Sequence, residues 1–229
     1  RFVMTVVGIA GCTALLLTGL GLSNAINDII DKQFGQITLY NTTVVTDGEA
    51  DEQEEERLAE LLDDARYVSG QTHVMKENMT AAGSDEAGSD DDVRMQVVVP
   101  QNTSDFGNFF TLRTRVGHEP VAFAPNGVIL AEKVAARLGV QVGDVISLRD
   151  QDAIGNPTGE VHELAVTGIV ENYIYNYVFI GPEAYEDSWE QAPEYTCVFA
   201  ITTTDAQARA EFNDELSATG AVKTVTYND

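Results

Sequence analysis

The pattern of apolar positions changes period three times along this chain, and the first stretch governs the others. From Phe2 to Asn27 there is no charged side chain, and FVMTVVGIAGCTALLLTGLGL is almost wholly apolar. A bilayer core takes a helix of about 20 apolar residues, whereas a cleaved export signal has an apolar core of only ~7–15. Residues 1–22 therefore read as a transmembrane helix. Gly8, Gly11, Cys12, Thr18 and Gly19 are small enough to let neighbouring membrane helices approach closely. Beyond them Ile26, Ile29, Ile30 and Phe34 recur at spacings of three and four, with Asp28, Asp31 and Lys32 between them. That is one apolar stripe on a helix. Residues 23–35 predict an amphipathic stalk leaving the membrane, with Gly35 as its C-terminal cap. Arg1, the only charge at the far end, puts that end on the cytoplasmic side and the remaining chain outside.

Residues 36–229 switch to shorter elements. QITLYNTTVV is rich in β-branched residues and predicts a strand. DGEADEQEEERLAELLDDARYV predicts a helix that buries Leu58, Leu61, Leu62 and Ala65, with acids early where they complement its dipole. QTHVMKENMTAAG and VRMQVVVP predict two strands joined by SDEAGSDDD, a solvated tip without the regular ligand spacing of an EF-hand. Residues 101–127 hold Gly, Pro and several aromatics, and predict a long excursion. GVILAEKVAARLGVQVGDVISL predicts strand, helix, Gly139 stop, Gly143–Asp144 turn and strand. RDQDAIGNPTGE is a turn, with VHELAVTGIV returning as one partner strand. In ENYIYNYVFI both alternating faces are apolar from Tyr173 to Ile180, which predicts a buried central strand rather than an aromatic ligand platform. A helix to Trp189, a strand EYTCVFAITTT, a helix over 205–218 and a last strand follow. The fold class is α+β, helices on a mixed or mainly antiparallel sheet.

Composition narrows the function. Of 229 residues, 44% are hydrophobic and 22% charged, ordinary for a folded chain, but the formal net charge is −24. Such a surface repels phosphate backbones, so nucleic acid is not an expected partner. The two cysteines, Cys12 in the apolar run and Cys197 far downstream, make no disulfide framework. His73, His118 and His162 are scattered, with no HExxH, and neither a P-loop nor a G-x-S-x-G elbow occurs. No catalytic, cofactor-binding or metal-ligating residue is predicted. Asn41, Asn78 and Asn102 begin N-x-S/T sequons.

Taken together, RFVMTVVGIAGCTALLLTGLGLSNAINDIIDKQFG, GVILAEKVAARLGVQVGDVISL and VTGIVENYIYNYVFIGPEAY resemble bacterial FtsX-like (MacB-type) ABC transporter permeases. The segments match a membrane helix with its stalk, the recurrent strand–helix–Gly-Asp–strand unit of the extracytoplasmic domain, and the segment that follows it in the large, two-halved members. Ala131 departs from the pattern, since relatives carry Ser before Glu-Lys and so gain a helix N-cap oxygen. The resemblance implies a MacB periplasmic-core-like domain at the bacterial cell membrane, on its extracytoplasmic side. It also implies a cytoplasmic ABC ATPase subunit, further permease helices, and an exported lipid or peptide, or an exterior protein, as partners. The opening helix resembles the start of the second half of such a permease, in which case the chain would be a fragment ending before the next span.

On this reading Ile26, Ile29, Ile30 and Phe34 carry stalk coupling, and Phe106, Phe109 and Phe110 of the excursion are candidates for partner or ligand contact, with local packing as the competing role. A singly anchored sensor or adhesion domain and a membrane-anchored hydrolase remain as alternatives.

Overall fold

The computed structural model of the chain describes residues 2–83, 93–152 and 154–228. The acidic tip expected at residues 84–92 lies outside them.

Helix α1 (Phe2–Lys32) runs unbroken for 31 residues, roughly 46 Å at 1.5 Å per residue. Every side chain described between Val6 and Asp31 is exposed. The helix does not stop at a left-handed Gly35, as its sequence suggested. It widens into a π-helical turn, Gln33–Ile37, in which Thr38 N–H donates to Gln33 O at 2.7 Å. Gly35 sits inside that turn at an ordinary φ. The end is set instead by burial of Gln33 and Ile37 against the body of the domain.

That body is a mixed sheet of ten strands among the described residues. They are β1 (Thr42–Thr46), β2 (Val68–Gly83), β3 (Val93–Pro100), β4 (Val128–Ala131), β5 (Val145–Gln151), β6 (Pro157–Ala165), β7 (Gly168–Val170), β8 (Tyr177–Ile180), β9 (Cys197–Thr202) and β10 (Val222–Tyr227). The main path runs β10-β1-β9-β2-β3-β8-β4-β7. β2 is long enough to share one edge, pairing β9 through Val68–Val74 and β5 through Met79–Gly83. The β5–β6 hairpin therefore branches off the same strand that carries the N-terminal half of the sheet. Only β3–β8 and β4–β7 are parallel among these pairs.

Strand periodicity decides what each face covers. Val74, Val98, Ile129, Tyr177, Phe179, Cys197 and Phe199 point to one face. Their neighbours Met75, Val97, Val99, Leu130, Val178, Ile180, Val198 and Ala200 point to the other. The second face is roofed by helices. Leu58, Leu61 and Leu62 of α2 (Glu52–Leu62) and Phe212 and Leu216 of α5 (Ala206–Thr219) cover its β1–β9 half. Val134 and Ala135 of α3 (Glu132–Leu138), with Ala184 and Tyr185 of α4 (Pro182–Trp189), cover its β3–β8–β4 half. Among the described residues no α-helix roofs the first face. It is closed by residues 101–127 and by the chain leaving α1.

Local chemistry explains most of the boundaries. Asp51 and Glu54 form a capping box that starts α2. Ala65 lies beyond its end and is exposed, and Tyr67 and Val68 take the buried positions instead. Gly139 stops α3 at φ 70° and Gly143 turns at φ 98°. Two strand expectations are corrected. VHELAVTGIV is not one strand: β6 pairs β5, and β7 leaves to pair β4 in parallel. ENYIYNYVFI becomes a strand only from Tyr177, because Tyr175 is held at φ 63° and breaks the extended run.

Candidate functional site: the joint between helix and sheet

The described residues put their most connected polar cluster where α1 meets the sheet. Gln33 is 1% exposed. Its Nε2 donates to Thr38 Oγ1 at 3.0 Å and to Asn172 Oδ1 at 2.9 Å, and its Oε1 accepts from the backbone N–H of Tyr173 (2.8 Å) and Ile174 (3.0 Å). All four hydrogen-bonding positions of the amide are used. Asn172 continues the network, donating from Nδ2 to the carbonyls of Ile174 and Tyr175, which holds the left-handed Tyr175 in place.

A second latch lies one turn further along. Arg113 of the excursion donates to Glu171 Oε1 from Nε (2.9 Å) and Nη2 (2.6 Å), and Nη2 also reaches Gln36 Oε1 at 2.9 Å. Glu171 follows β7 and is 1% exposed, and its backbone N–H donates to Arg113 O. Its Oε2 has no hydrogen-bond partner among the described residues, and His118 Nε2 stands 3.9 Å away. Gly117 and His118, both at positive φ, make the turn that delivers the imidazole there. On the helix side Lys32 is paired with Asp28 at 2.8 Å and lies over the Tyr173 ring at 5.8 Å.

Backbone pairing completes the joint. Leu39 N–H donates to Phe109 O and Thr111 N–H to Ile37 O, so the strand leaving α1 is clamped by the excursion. Beneath this clamp the excursion's aromatics fill the first sheet face. Phe106, Phe109 and Phe110 are 0%, 3% and 0% exposed. Phe110 touches Tyr40, Phe106, Tyr177, Phe179 and Phe199 at ring-centroid distances of 5.0–6.0 Å, and Tyr40 stacks on Phe199 at 4.2 Å. The three phenylalanines thus face the core and not a surface open to a partner.

The stalk residues fall elsewhere. Ile26, Ile29 and Ile30 are 48%, 40% and 44% exposed, with no covering element among the described residues, and half-buried Phe34 lines a cavity beside Gln33. The structure therefore joins Phe34 and the backbone of Phe109 and Phe110 to one joint, and leaves the three isoleucines above it. Gln33, Gln36, Arg113, Glu171 and Asn172 escaped the sequence pattern. The one available signal was Glu171, a lone carboxylate directly after the apolar run of β7. Asn41, which begins a sequon, is also structural: its side chain bonds both the N–H and the carbonyl of Thr202.

Such a joint has the means to hold two bodies in a fixed orientation, by satisfied hydrogen bonds and one part-buried ion pair. The model of the MacB-like periplasmic core domain matches residues 3–219. No curated protein matches the chain. Among solved structures, it is similar to the extracellular domain of the noncanonic ABC-type transporter YknZ from Gram-positive bacteria, at 15% identity and TM-score 0.48, covering 82% of this chain and 98% of that one. It is also similar to the periplasmic region of MacB from Actinobacillus actinomycetemcomitans, at 10% identity and TM-score 0.49, covering 87% and 94%. A domain of a putative permease from Porphyromonas gingivalis matches at 11% identity and TM-score 0.40, covering 84% and 90%.

Proposed function

Because the chain belongs to the MacB-like periplasmic core domain family, we propose that this extracytoplasmic domain of an ABC transporter permease is moved through α1, residues 1–22 spanning the membrane and residues 23–35 acting as stalk. ATP hydrolysis in a separate cytoplasmic subunit shifts the membrane helices. The stalk carries that shift to the sheet, where it drives export of a lipid, peptide or drug-like molecule or acts on an exterior partner.

One observation carries this reading: a helix exposed from Val6 to Asp31 leads into a fully satisfied buried amide, Gln33. A flexible tether needs no such end. An exposed apolar stripe at Ile26, Ile29 and Ile30 also calls for a cover, which the other permease helices supply. The stripe is a contact for those helices, and the joint converts their motion into rotation or lift of the domain.

The test uses the whole permease with its ATPase subunit in proteoliposomes. Ile29→Asp with Ile30→Asp should abolish the ATP-dependent displacement of the domain, read as a change in spin-label distance between the sheet and a membrane helix of the permease outside this chain. ATP hydrolysis and the circular dichroism of the domain should persist. Undiminished displacement in this double variant would sink the coupling role of the stripe.

A further inference from the structure

At the foot of α1 the first sheet face keeps a partly open cavity of about 160 Å³, lined by Gln33, Phe34, Tyr40, Lys76, Gln96 and Tyr177 among others. At roughly 30 Å³ of liquid per water this is room for about five waters, or for a molecule of similarly few heavy atoms. Its walls are polar in an ordered way. Tyr40 and Tyr177 both line it, each with a hydroxyl-bearing ring. Gln96 Oε1 is buried and has no hydrogen-bond partner among the described residues.

Lys76 is the exceptional member. It is half-buried, and no described carboxylate comes within ion-pair distance of it. Its neighbour in charge is the Cys197 thiol, and burial holds its ammonium below the ordinary lysine range. A desolvated ammonium without a counter-charge is costly, and so is a buried amide oxygen without a donor. In a chain of net charge −24 the long-range field repels anions. Within about 8–10 Å of the ammonium, however, screening leaves the local cation in control.

We infer that this cavity is a binding site for an α-carboxylate with an adjacent N–H or O–H donor, the carboxylate facing Lys76 and the donor facing Gln96 Oε1. One carboxylate matches one ammonium, whereas a phosphate dianion would leave a buried negative charge uncompensated. The chemistry is shared by a free amino or hydroxy acid and by the C-terminus of a peptide. A second, open cleft adjoins through Gln96 and Tyr175, which line both, and it adds Arg94, Lys133 and Asn176. It gives a longer ligand somewhere to lie. Because Gln33 and Phe34 form one wall, occupancy bears on the seat of the helix. That last step rests on the stalk reading above, and binding itself does not.

The full chain in detergent micelles is titrated calorimetrically with alanine, N-acetyl-alanylalanine and alaninamide at constant ionic strength. Saturable binding of one equivalent is expected for alanine or for the acetylated dipeptide, and none for alaninamide. Alanine alone identifies a free acid as the ligand, and tighter binding of the dipeptide identifies a chain terminus entering through the cleft. Lys76→Met, which keeps the bulk and removes the charge, should weaken binding at least tenfold, and Tyr40→Phe should weaken it several-fold. Absence of saturable binding by both acids, equal binding of alaninamide, or wild-type affinity in a folded Lys76→Met chain overturns the site. A spin label at Ile30→Cys, in a Cys12→Ser background, reads the helix in the same titration. An unchanged spectrum at saturating ligand removes the link to the stalk and leaves the site standing.

Discussion

Gln33 and Tyr40 sit within eight positions of each other and show how much a single side chain does at this joint. Replacing Gln33 by Leu keeps the volume and strands two backbone N–H groups, those of Tyr173 and Ile174. Each stranded buried donor costs about 1–3 kcal/mol, so Gln33→Leu should lower the urea midpoint of the domain by a corresponding amount. A variant as stable as wild type would mean that water reaches the foot of α1. Tyr40 lines the same cavity. Burial pushes its phenol up to about 12, and burial moves Tyr177 in the same direction. In an unfolded chain a phenol ionises near ~10, so the folded state holds the proton longer. Stability is therefore intact below pH ~10 and falls as pH climbs toward about 12. Lys76, whose pKa is lowered, works in the other sense below its unfolded value. Unfolding midpoints measured from pH 8 upward should fall less steeply in Tyr40→Phe than in wild type, and equal slopes would assign the fall to other groups.

Among the elements, α1 and the excursion carry the interest because neither is explained by its own residues alone. The excursion reads as a loop, yet Phe106, Phe109 and Phe110 make it the roof of a sheet face. Its backbone pairs with residues 37–39 and fixes how the helix arrives. The π-helical turn Gln33–Ile37 adds a residue to the last turn of the helix and so sets the angle between the isoleucine stripe and the joint. This phase is testable. One alanine inserted between Lys32 and Gln33 turns the stripe by ~100° relative to the sheet, whereas seven inserted residues return it to within ~20°. ATP-dependent displacement of the domain should be lost with one inserted residue and regained, at least in part, with seven. Loss in both, or in neither, would argue against a phased, rigid transmission.

For the whole molecule, the net charge of −24 is the dominant long-range term. Few of the acids among the described residues are paired, and the pairs at Asp28, Asp64 and Glu132 are solvent-exposed to varying degrees. Self-repulsion of this kind destabilises the compact state and is screened by salt, the Debye length shrinking from roughly 30 Å at 0.01 M to 3 Å at 1 M. Raising NaCl over that range should raise the Tm of the domain, and a flat or falling Tm would show that the acids are locally compensated. The same charge is spread over the surface, whereas the joint and its cavity gather Lys32, Lys76 and Arg113.

Much was legible in the residues themselves. The uncharged run, the three-and-four stripe at Ile26, Ile29, Ile30 and Phe34, and the unit from Val128 to Leu148 each follow from local periodicity and from glycines at positive φ, which need no distant partner. The α+β class followed from them as well. What tertiary structure alone decided is everything in which one residue answers another far along the chain. Gln33 meets Asn172 at a separation of 139 residues, and Arg113 meets Glu171 at 58. A polar residue beside an apolar run reads as surface until the fold buries it, and hydrogen bonds carry no periodic signature. The inward turn of Phe106, Phe109 and Phe110 was decided in the same way. The sheet face they cover is built from β2, β3, β8 and β9, and it exists only once those strands have paired.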